Sequence, residues 1–221
     1  LYEFSASYNQ NAYDLSDATI SANEGFIKPA PADHVRIFKQ LNICNYVENL
    51  SVKEVWLWMY HTDKVYPVES YQTGPAHSFG NGYMALPVCK KTYTVYDYNY
   101  GRDTGEALED HTHHIEAVLN YIDGRHTTPN DQWNNLLFWG KFVGSDITHK
   151  IIKPGCGWTH YPPNALSDYD WSNRTNYVWS DCEDWKPDNS GEKQYFNCEK
   201  WQCDDVQWKK WWMQNIPGKD N

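Results

Sequence analysis

The six cysteines constrain the fold of this chain more than any other feature. They are even in number within 221 residues and include no Cys-x-x-Cys pair, a pattern that favours disulfides over a zinc site or a redox dithiol. Six cysteines allow 15 pairings. Of these we favour the one that joins neighbours along the chain, namely Cys44–Cys89, Cys156–Cys182 and Cys198–Cys203. Such a framework indicates an extracellular protein, secreted or held at the cell surface.

Two further features agree with that compartment. The chain begins at Leu1 and has no charged and then apolar leader, as expected of a mature secreted product or an excised domain. Sequons at Asn49 and Asn173 would accept N-linked glycans, which predicts a glycoprotein. No run of 18 apolar residues occurs, so we expect no membrane span.

Composition narrows the class of partner. The net charge is −10, with 29 acidic against 19 basic residues, which disfavours nucleic acid and anionic membranes. Hydrophobic residues make up 40% of the chain, yet mean hydropathy is −0.80, because 12 Trp and 17 Tyr supply much of the apolar surface. These side chains suit sugar platforms, protein interfaces and cores. We therefore expect a glycan or another extracellular polymer as partner, with self-association as a further option.

The first half of the chain alternates between helical and strand patterns. Residues 1–32 lack periodicity and end in a proline-rich connector, so we expect an extended N-terminal segment before a single globular domain over 33–221. Helical spacing predicts a helix from Asp33. Val52–Tyr60 and Tyr93–Tyr100 predict strands, the first buried on both faces. The expected fold is α/β with a small mixed sheet, and α+β is the alternative.

The second half of the chain differs from the first in composition. A third helix is predicted over Gln132–Val143, and beyond Gly144 the residues Gly, Pro, Asn, Asp and Trp dominate to about Cys203. This composition predicts loops and short strands braced by disulfides and rich in aromatic rings. A short helix over Asp205–Asn215 ends the pattern.

The best chemical clue is an acidic helix predicted between Asp103 and Gly124. Side chains at offsets of 0, 3, 7 and 10 residues share one arc of a helix. Here those positions are Glu106, Glu109, His113 and Glu116. Carboxylates and an imidazole at these spacings converge on one cation or one reacting group. The alternative is an amphipathic helix whose polar face is solvated.

The charges around this arc favour a bound cation. No Lys or Arg lies between Arg102 and Arg125. The acidic side chains of this helix therefore have no Lys or Arg four residues further on and repel one another; they are Glu106, Glu109, Asp110 and Glu116. Arg102 precedes Glu106 by four residues, and we expect these two to pair beside the site. His111 falls in the apolar arc, where a histidine is more often a hydrogen-bonded core residue than a ligand.

Other segments supply candidates to complete a site. The predicted metal ligands, for zinc or calcium, are Glu109, His113, Glu116 and His61. The predicted catalytic residues are Glu116, Glu69 and His160. His61 and Glu69 flank the end of the first predicted strand, and His160 lies in a proline-braced loop over Cys156–Asn164, the kind of rigid loop on which sites are built. Asp181–Glu192 is an oxygen-rich loop that would suit calcium, although such loops are usually just hydrated.

The tryptophans of the second half have two interpretations. Trp158, Trp171 and Trp185 are predicted to bind substrate by stacking on sugar rings. In a loop-rich region with few aliphatic residues, tryptophans equally suit the core itself. The sequence leaves both open.

Three segments resemble parts of uncharacterised secreted bacterial proteins. They are the NYGR stretch with the ExxExxxHxxE pattern from Asn99 to Glu116, CGWTHYPPN over Cys156–Asn164, and WWMQNIPG over Trp211–Gly218. The resemblance implies secretion and one domain. No activity is established for that group, so no catalytic residue is carried over.

Several enzyme classes are disfavoured by absent motifs. The chain has no dinucleotide, P-loop, nucleophile-elbow or H-E-x-x-H signature. Together with the acidic helix, the aromatic content and the expected compartment, these absences favour a secreted metal-dependent hydrolase acting on a glycan or cell-wall polymer. The alternative is a non-catalytic glycan-binding module or the subunit of a surface assembly.

Overall fold

The computed structural model describes residues 30–31, 34–59, 65–66, 68–145, 151, 153 and 155–217. They form two compact units, one ending at His114 and the other beginning at Ile115. Each unit has its own hydrophobic core. The expected single domain stays a prediction, and most of the N-terminal segment over 1–32 lies outside the described residues.

The first unit is built on a small mixed sheet. Its strands are β1 (Ala30–Pro31), β2 (Glu54–Met59), β3 (Val65–Tyr66), β4 (Ser70–Thr73), β5 (Phe79–Asn81) and β6 (Tyr93–Asn99). The four-stranded sheet has the order β2-β6-β4-β5, with β2 parallel to β6 and the other pairs antiparallel. β1 and β3 form a separate parallel pair. The predicted α/β class with a small mixed sheet is confirmed.

The prediction that the first strand is buried on both faces is wrong. Val55 on β2 is buried, whereas the side chains of Trp56 and Trp58 are 53% and 42% exposed. Successive residues of a strand point to opposite faces, so β2 alternates between a core face and an open face. The apolar run was misleading because tryptophan counts as hydrophobic while remaining compatible with a surface.

Three helices belong wholly or partly to the first unit. They are α1 (His34–Gln40), α2 (Ile43–Asn49) and α3 (Thr104–Asp123). The single helix predicted from Asp33 is divided in two, because Asn42 adopts a left-handed conformation with φ 51°; Asp33 itself lies outside the described residues. Phe38, Val47 and Val95 are fully or almost fully buried in the core beneath these helices.

The second unit combines short helices with one hairpin. Its elements are 3₁₀ helices over Asn130–Asn135, Cys182–Asp184 and Cys198–Trp201, a π-helix over Leu137–Val143, strands β7 (Val178–Ser180) and β8 (Gln194–Phe196), and α4 (Asp205–Gln214). β7 and β8 are antiparallel. The third predicted helix is therefore present as two shorter, irregular turns of different type.

Tryptophans form the core of this unit. Trp139, Trp201, Trp208 and Trp212 are fully or almost fully buried. Two of these indole N–H groups donate to loop carbonyls: Trp208 Nε1 to Thr159 O at 2.8 Å and Trp212 Nε1 to Gly157 O at 2.9 Å. Buried indoles need such partners. The rings thus fill the core and at the same time fix the backbone of the loops.

All three predicted disulfides are confirmed. Cys44 is bonded to Cys89, Cys156 to Cys182 and Cys198 to Cys203. Such bonds are typical of proteins from oxidising compartments, which agrees with the extracellular prediction. Among the described residues, none of the helices combines the length and the apolar character needed to cross a bilayer.

The carboxylate of Asp123 caps the N-terminus of the π-helix. Asp123 accepts hydrogen bonds from the backbone N–H groups of Leu137, Phe138 and Trp139 at 2.9 to 3.0 Å. The first N–H groups of a helix have no partner within it. Asp123 therefore acts as a cap contributed from the end of α3.

Replacing Asp123 should destabilise the second unit. Asp123→Ala removes three charge-assisted hydrogen bonds, and we expect the free energy of unfolding to fall by about 1–2 kcal/mol, the range of strong helix caps. Urea unfolding followed by tryptophan fluorescence measures the change. Asp131→Ala, at an exposed carboxylate of the neighbouring 3₁₀ helix, is the matched control and should have little effect. Equal stability of both variants would contradict the capping role.

Candidate functional site

The first half of the acidic helix α3 packs against β6. Tyr98 on β6 makes a 2.5 Å hydrogen bond between its hydroxyl and His111 Nε2, and the rings of Tyr96 and His111 are 4.1 Å apart. Burial lowers the pKa of His111, and lowers that of His114 to about 4. Both histidines are therefore neutral at physiological pH, as expected of core residues, and they hold α3 to the sheet.

Carboxylates crowd this part of the first unit. We call the following residues the acidic cluster: Glu69, Asp97, Glu106, Glu109 and Asp110. Asp110 is 4% exposed. Burial, followed by the charges of Glu69 and Glu106, raises its pKa to about 8, although His113 acts in the opposite direction. Asp110 is therefore largely protonated at neutral pH.

Asp97 is a buried member of the acidic cluster and accepts two hydrogen bonds through one oxygen. Its Oδ2 accepts hydrogen bonds from His34 Nε2 at 2.7 Å and from the backbone N–H of Val68 at 3.1 Å. Within the part of the chain that the structure describes, its Oδ1 is buried and has no hydrogen-bond partner. A buried oxygen of this kind is costly unless a further group satisfies it. The acidic cluster thus has capacity for a donor or a cation.

Glu109 and His113 form the carboxylate–imidazole pair that the sequence predicts. Glu109 Oε1 lies 3.7 Å from His113 Nε2, and the two side chains are 17% and 10% exposed. The polar arc of α3 is therefore shielded at this point and is not an open, solvated face. Their ligand atoms are close enough to hold one ion. A candidate pair of metal ligands is thus present in the first unit.

A triplet of potential ligands elsewhere in the first unit cannot bind a metal through its cysteines. Cys44, Glu48 and Cys89 also lie within ligand distance of one another. Both sulfurs are joined in a disulfide, and metal ligation by cysteine requires the thiolate. This group is therefore structural.

Arg102 and Glu69 both have partners in the first unit, and the catalytic role predicted for Glu69 stays a prediction. Arg102 forms the expected ion pair with Glu106, with Nη1 to Oε2 at 2.9 Å. Glu69 precedes β4, and its Oε2 accepts a hydrogen bond from Asn81 on β5. Through its charge Glu69 acts on Asp110. Glu69 thus belongs to the acidic cluster, whereas His61 lies outside the described residues and its role as ligand stays a prediction.

Glu116 and His160 lie in the second unit and have structural contacts there. Glu116 Oε1 accepts a hydrogen bond at 2.8 Å from the backbone N–H of Thr159, so it holds the loop over Cys156–Asn164. His160 Nδ1 lies 3.3 Å from Asp168 Oδ1, and its ring packs on Tyr169 at 4.1 Å. The catalytic and metal-binding roles predicted for Glu116 and His160 stay predictions.

The three tryptophans predicted to bind substrate are part of the aromatic core. Trp158 is buried, and Trp171 and Trp185 pack against the core while remaining partly buried. The structure therefore supports the core interpretation of these residues, because a sugar platform needs an open ring face. Few aliphatic side chains are available in this half of the chain, and tryptophan takes their place.

Exposed aromatic rings lie instead in the first unit, grouped around the buried ring of Tyr98. We call Trp56, Trp58, Tyr98 and Tyr100 the aromatic row. Trp58 lies 4.8 Å from Tyr98 and 5.5 Å from Tyr100 between ring centroids. Trp56 and Tyr98 are 5.9 Å apart. Alternation in the sequence VKEVWLWMY carries the signal for an open face, and the interpretation as a doubly buried strand missed it.

The acidic loop considered for calcium has protein partners. Glu183 forms an ion pair with Lys200 at 2.8 Å, and Asp184 forms one with Lys186 at 3.1 Å. Asp188 accepts a hydrogen bond from the backbone N–H of Ser190 at 3.0 Å. These contacts account for the carboxylates without an ion.

Removing the charge of Asp110 should stabilise the protein, and more so at higher pH. The unfolded carboxyl group titrates near 3.8 and the folded one near 8. The folded state therefore binds the proton more tightly, and the contribution of Asp110 to stability is lost as pH rises through this range. For Asp110→Asn, we expect a gain over the native chain that is larger at about pH 8 than at about pH 5 by at least about 1.4 kcal/mol, equivalent to one pKa unit.

Urea unfolding in EDTA at the two pH values measures this difference. Asp131→Asn, at an exposed carboxylate, is the matched control and should show no such growth with pH. A gain of equal size at both pH values would contradict the raised pKa of Asp110.

Comparison of this chain with protein-family models, with curated proteins and with solved structures found no match. The resemblance of three segments to uncharacterised secreted bacterial proteins stays a prediction. The functional interpretation of the protein therefore depends on the geometry of its own residues.

Proposed function

We propose that the protein is a secreted, metal-dependent hydrolase of a glycan or cell-wall polymer, with its metal held on the first half of α3. The observation that carries this proposal is the shielded Glu109–His113 pair, with 3.7 Å between carboxylate oxygen and imidazole nitrogen. The surrounding carboxylates repel one another, and a divalent cation would relieve that repulsion.

The donor set favours zinc over calcium. Calcium takes six to eight oxygen ligands, whereas zinc binds imidazole nitrogen together with carboxylate oxygen and keeps one position open in catalytic sites. Glu109 and His113 supply one donor of each kind. The sequence predicts that His160, Glu116 or His61 adds further ligands, and variants of these residues test each in the same titration.

The chemistry follows from the groups around the pair. A zinc ion lowers the pKa of bound water and so generates a nucleophile near neutral pH. Asp110 interacts electrostatically with His113, and its carboxyl group would serve as the proton acceptor and donor for water at this site. Arg102 holds Glu106 through their ion pair and limits the negative charge of the site.

The aromatic row favours a glycan as substrate. Trp56, Trp58 and Tyr100 are each roughly half exposed. Flat rings of this type bind the C–H faces of sugars while their polar tips remain in water. The Tyr98 hydroxyl binds His111 on α3, which joins the row to the helix that carries the proposed metal ligands.

Zinc binding should depend on Glu109 and His113. We expect protein purified without chelator to contain zinc, and Glu109→Gln or His113→Ala to weaken binding at least tenfold, because second-shell changes alone cost about 10–100-fold. Metal analysis and calorimetric titration with zinc and with calcium measure this. Glu192→Gln and His126→Ala alter exposed residues of the same types and serve as controls. An absence of bound metal, with melting unchanged by EDTA, would refute the metal site.

Hydrolysis should be lost when Glu109 or Asp110 is replaced. Against a panel of soluble glycans and purified peptidoglycan, we expect Glu109→Gln and Asp110→Asn to lower the rate of reducing-end release by about 100-fold or more. Circular dichroism verifies that each variant is folded, and Glu192→Gln is the control. Full activity of both variants would exclude this site as the catalytic centre.

The alternative function is a non-catalytic glycan-binding module or assembly subunit, which the aromatic row also favours. In that case Trp58→Ala abolishes glycan binding, Glu109→Gln leaves it intact, and no substrate is cleaved. Parallel binding and cleavage measurements on the two variants separate the alternatives.

A further inference from the structure

Strand β2 lies at one edge of the four-stranded sheet of the first unit. The strand order is β2-β6-β4-β5, so within this sheet β2 pairs with β6 on one side only. It spans six residues, Glu54–Met59, whereas β5 at the other edge has three. A strand at the edge of a sheet presents a row of unpaired backbone groups and is a template for pairing with another chain.

The pairing with β6 fixes which backbone groups of β2 point outward. The backbone N–H of Thr94 donates to Lys53 O at 2.9 Å, and Glu54 is aligned with Thr94. Backbone groups of successive residues in a strand point to opposite sides, so Lys53 and every second residue after it bond toward β6. We call the backbone N–H and C=O groups of the residues between them the β2 edge; these residues are Glu54, Trp56 and Trp58. Among the described residues the β2 edge has no hydrogen-bond partner.

The β2 edge lacks the devices that usually prevent pairing. Natural edge strands are protected by lysine, proline or a bulge, or they are very short. The sequence of β2 is EVWLWM, without lysine or proline, and its register with β6 is continuous from Glu54 to Met59. The side chains of Trp56 and Trp58 are exposed. An exposed apolar edge of this length is expected to pair with another strand.

We propose that a second copy of the chain covers the β2 edge, with the two β2 strands antiparallel about a two-fold axis at Trp56. Such an axis brings the same surface of both copies together. Trp56 then lies opposite the partner's Trp56, and Glu54 lies opposite the partner's Trp58. Every N–H and C=O group of the β2 edge meets a complementary group of the other copy.

The charges and rings of β2 are self-complementary in this register. Glu54 is the charged residue of the strand and lies at its start, so antiparallel pairing places the two Glu54 carboxylates at opposite ends of the contact. Like charges directly opposite each other destabilise a strand pair, whereas opposed aromatic rings stabilise it. Trp56 opposite the partner's Trp56 is a pair of the stabilising kind.

A second copy fits the β2 edge better than an extended peptide of another protein. Sheet edges that bind peptides gain specificity from pockets for alternate side chains of the peptide. Here the ring of Trp56 lies 6.2 Å from that of His111, and the ring of Trp58 lies 4.8 Å from that of Tyr98. The positions beside the strand on this face are thus filled by rings of the chain itself.

Pairing would bring the exposed tryptophans of two copies onto one face. Alternate residues of a strand share a face, and so do residues directly opposite in an antiparallel pair. The indoles of Trp56 and Trp58 from both copies would therefore lie side by side and enlarge the aromatic surface. The contact uses β2 alone, so it does not depend on the proposed hydrolysis.

Sedimentation equilibrium of the full chain tests the pairing. A strand pair about 20 Å long is a small contact, so we expect a dimer that dissociates on dilution. Concentrations from about 1 μM to about 1 mM cover the range of weak interfaces. Salt at about 0.15 M screens the net charge of −10 on each copy. A monomer at every concentration would leave the edge to an extended peptide and overturn the proposal, as would growth beyond a dimer.

Opposite charges at position 56 test the two-fold axis. Trp56→Lys and Trp56→Glu each place like charges opposite each other and should weaken the dimer at least tenfold. An equimolar mixture of the two variants should form a heterodimer. Trp58→Lys, opposite the partner's Glu54, should retain the dimer, and so should Tyr83→Lys, at an exposed tyrosine of the first unit. Dimers of the single Trp56 variants as tight as the native one, or no heterodimer in the mixture of folded variants, would overturn this axis.

A backbone variant tests the edge without removing a ring. Glu54→Pro deletes an outward N–H and leaves the hydrogen bonds to β6 in place, because proline is tolerated where the N–H of an edge strand faces solvent. We expect it to weaken the dimer at least tenfold, whereas Glu54→Ala, which keeps the N–H, should dimerise like the native chain. Circular dichroism verifies that each variant is folded. Equal dimerisation of the two Glu54 variants would contradict pairing through this edge.

Discussion

The burial of carboxyl groups on and beside the first half of α3 is the constraint on which the candidate site depends. Asp110 is 4% exposed and shares its surroundings with Glu69 and Glu106. Such an arrangement destabilises a protein unless protons, hydrogen-bond donors or a cation offset it. His34 and Val68 satisfy one oxygen of Asp97, and Arg102 satisfies Glu106. The chain thus tolerates an electrostatic cost at one place, as functional sites often do.

Those parts of the structure that depend on local pattern could be predicted from the sequence. The even cysteine count predicted disulfides, although it left 15 pairings open, and helical periodicity located α3 and the Glu109–His113 pair. Asn42 escaped prediction because its left-handed turn interrupts a pattern that stays apolar through the break. The role of Asp110 also escaped, since it depends on Glu69, which is distant in sequence and is brought near by the pairing of β4 with β6.

Whether a tryptophan is buried or exposed was the property that the sequence predicted least well. Its side chain is large enough to fill a core and polar enough to remain at a surface, so composition does not decide between these roles. Trp158 lies in the core, whereas Trp56 and Trp179 are open. What separates them is the alternation within strands: β2 and the β7–β8 hairpin each have one open face. Trp158 lies in a loop, where no such periodicity exists to be read.

The indole hydrogen bonds of the second unit have a consequence for which residues its core can accept. Trp208 and Trp212 each donate to a loop carbonyl, Thr159 O and Gly157 O. Phenylalanine would keep most of the packing but leave that carbonyl without its partner in a dry interior, at a cost of about 1–3 kcal/mol. The core therefore requires an N–H donor as well as a ring of suitable volume at these two positions. The loop over Cys156–Asn164 has one short backbone bridge, between Trp158 and Tyr161, so its shape depends largely on these side-chain hydrogen bonds.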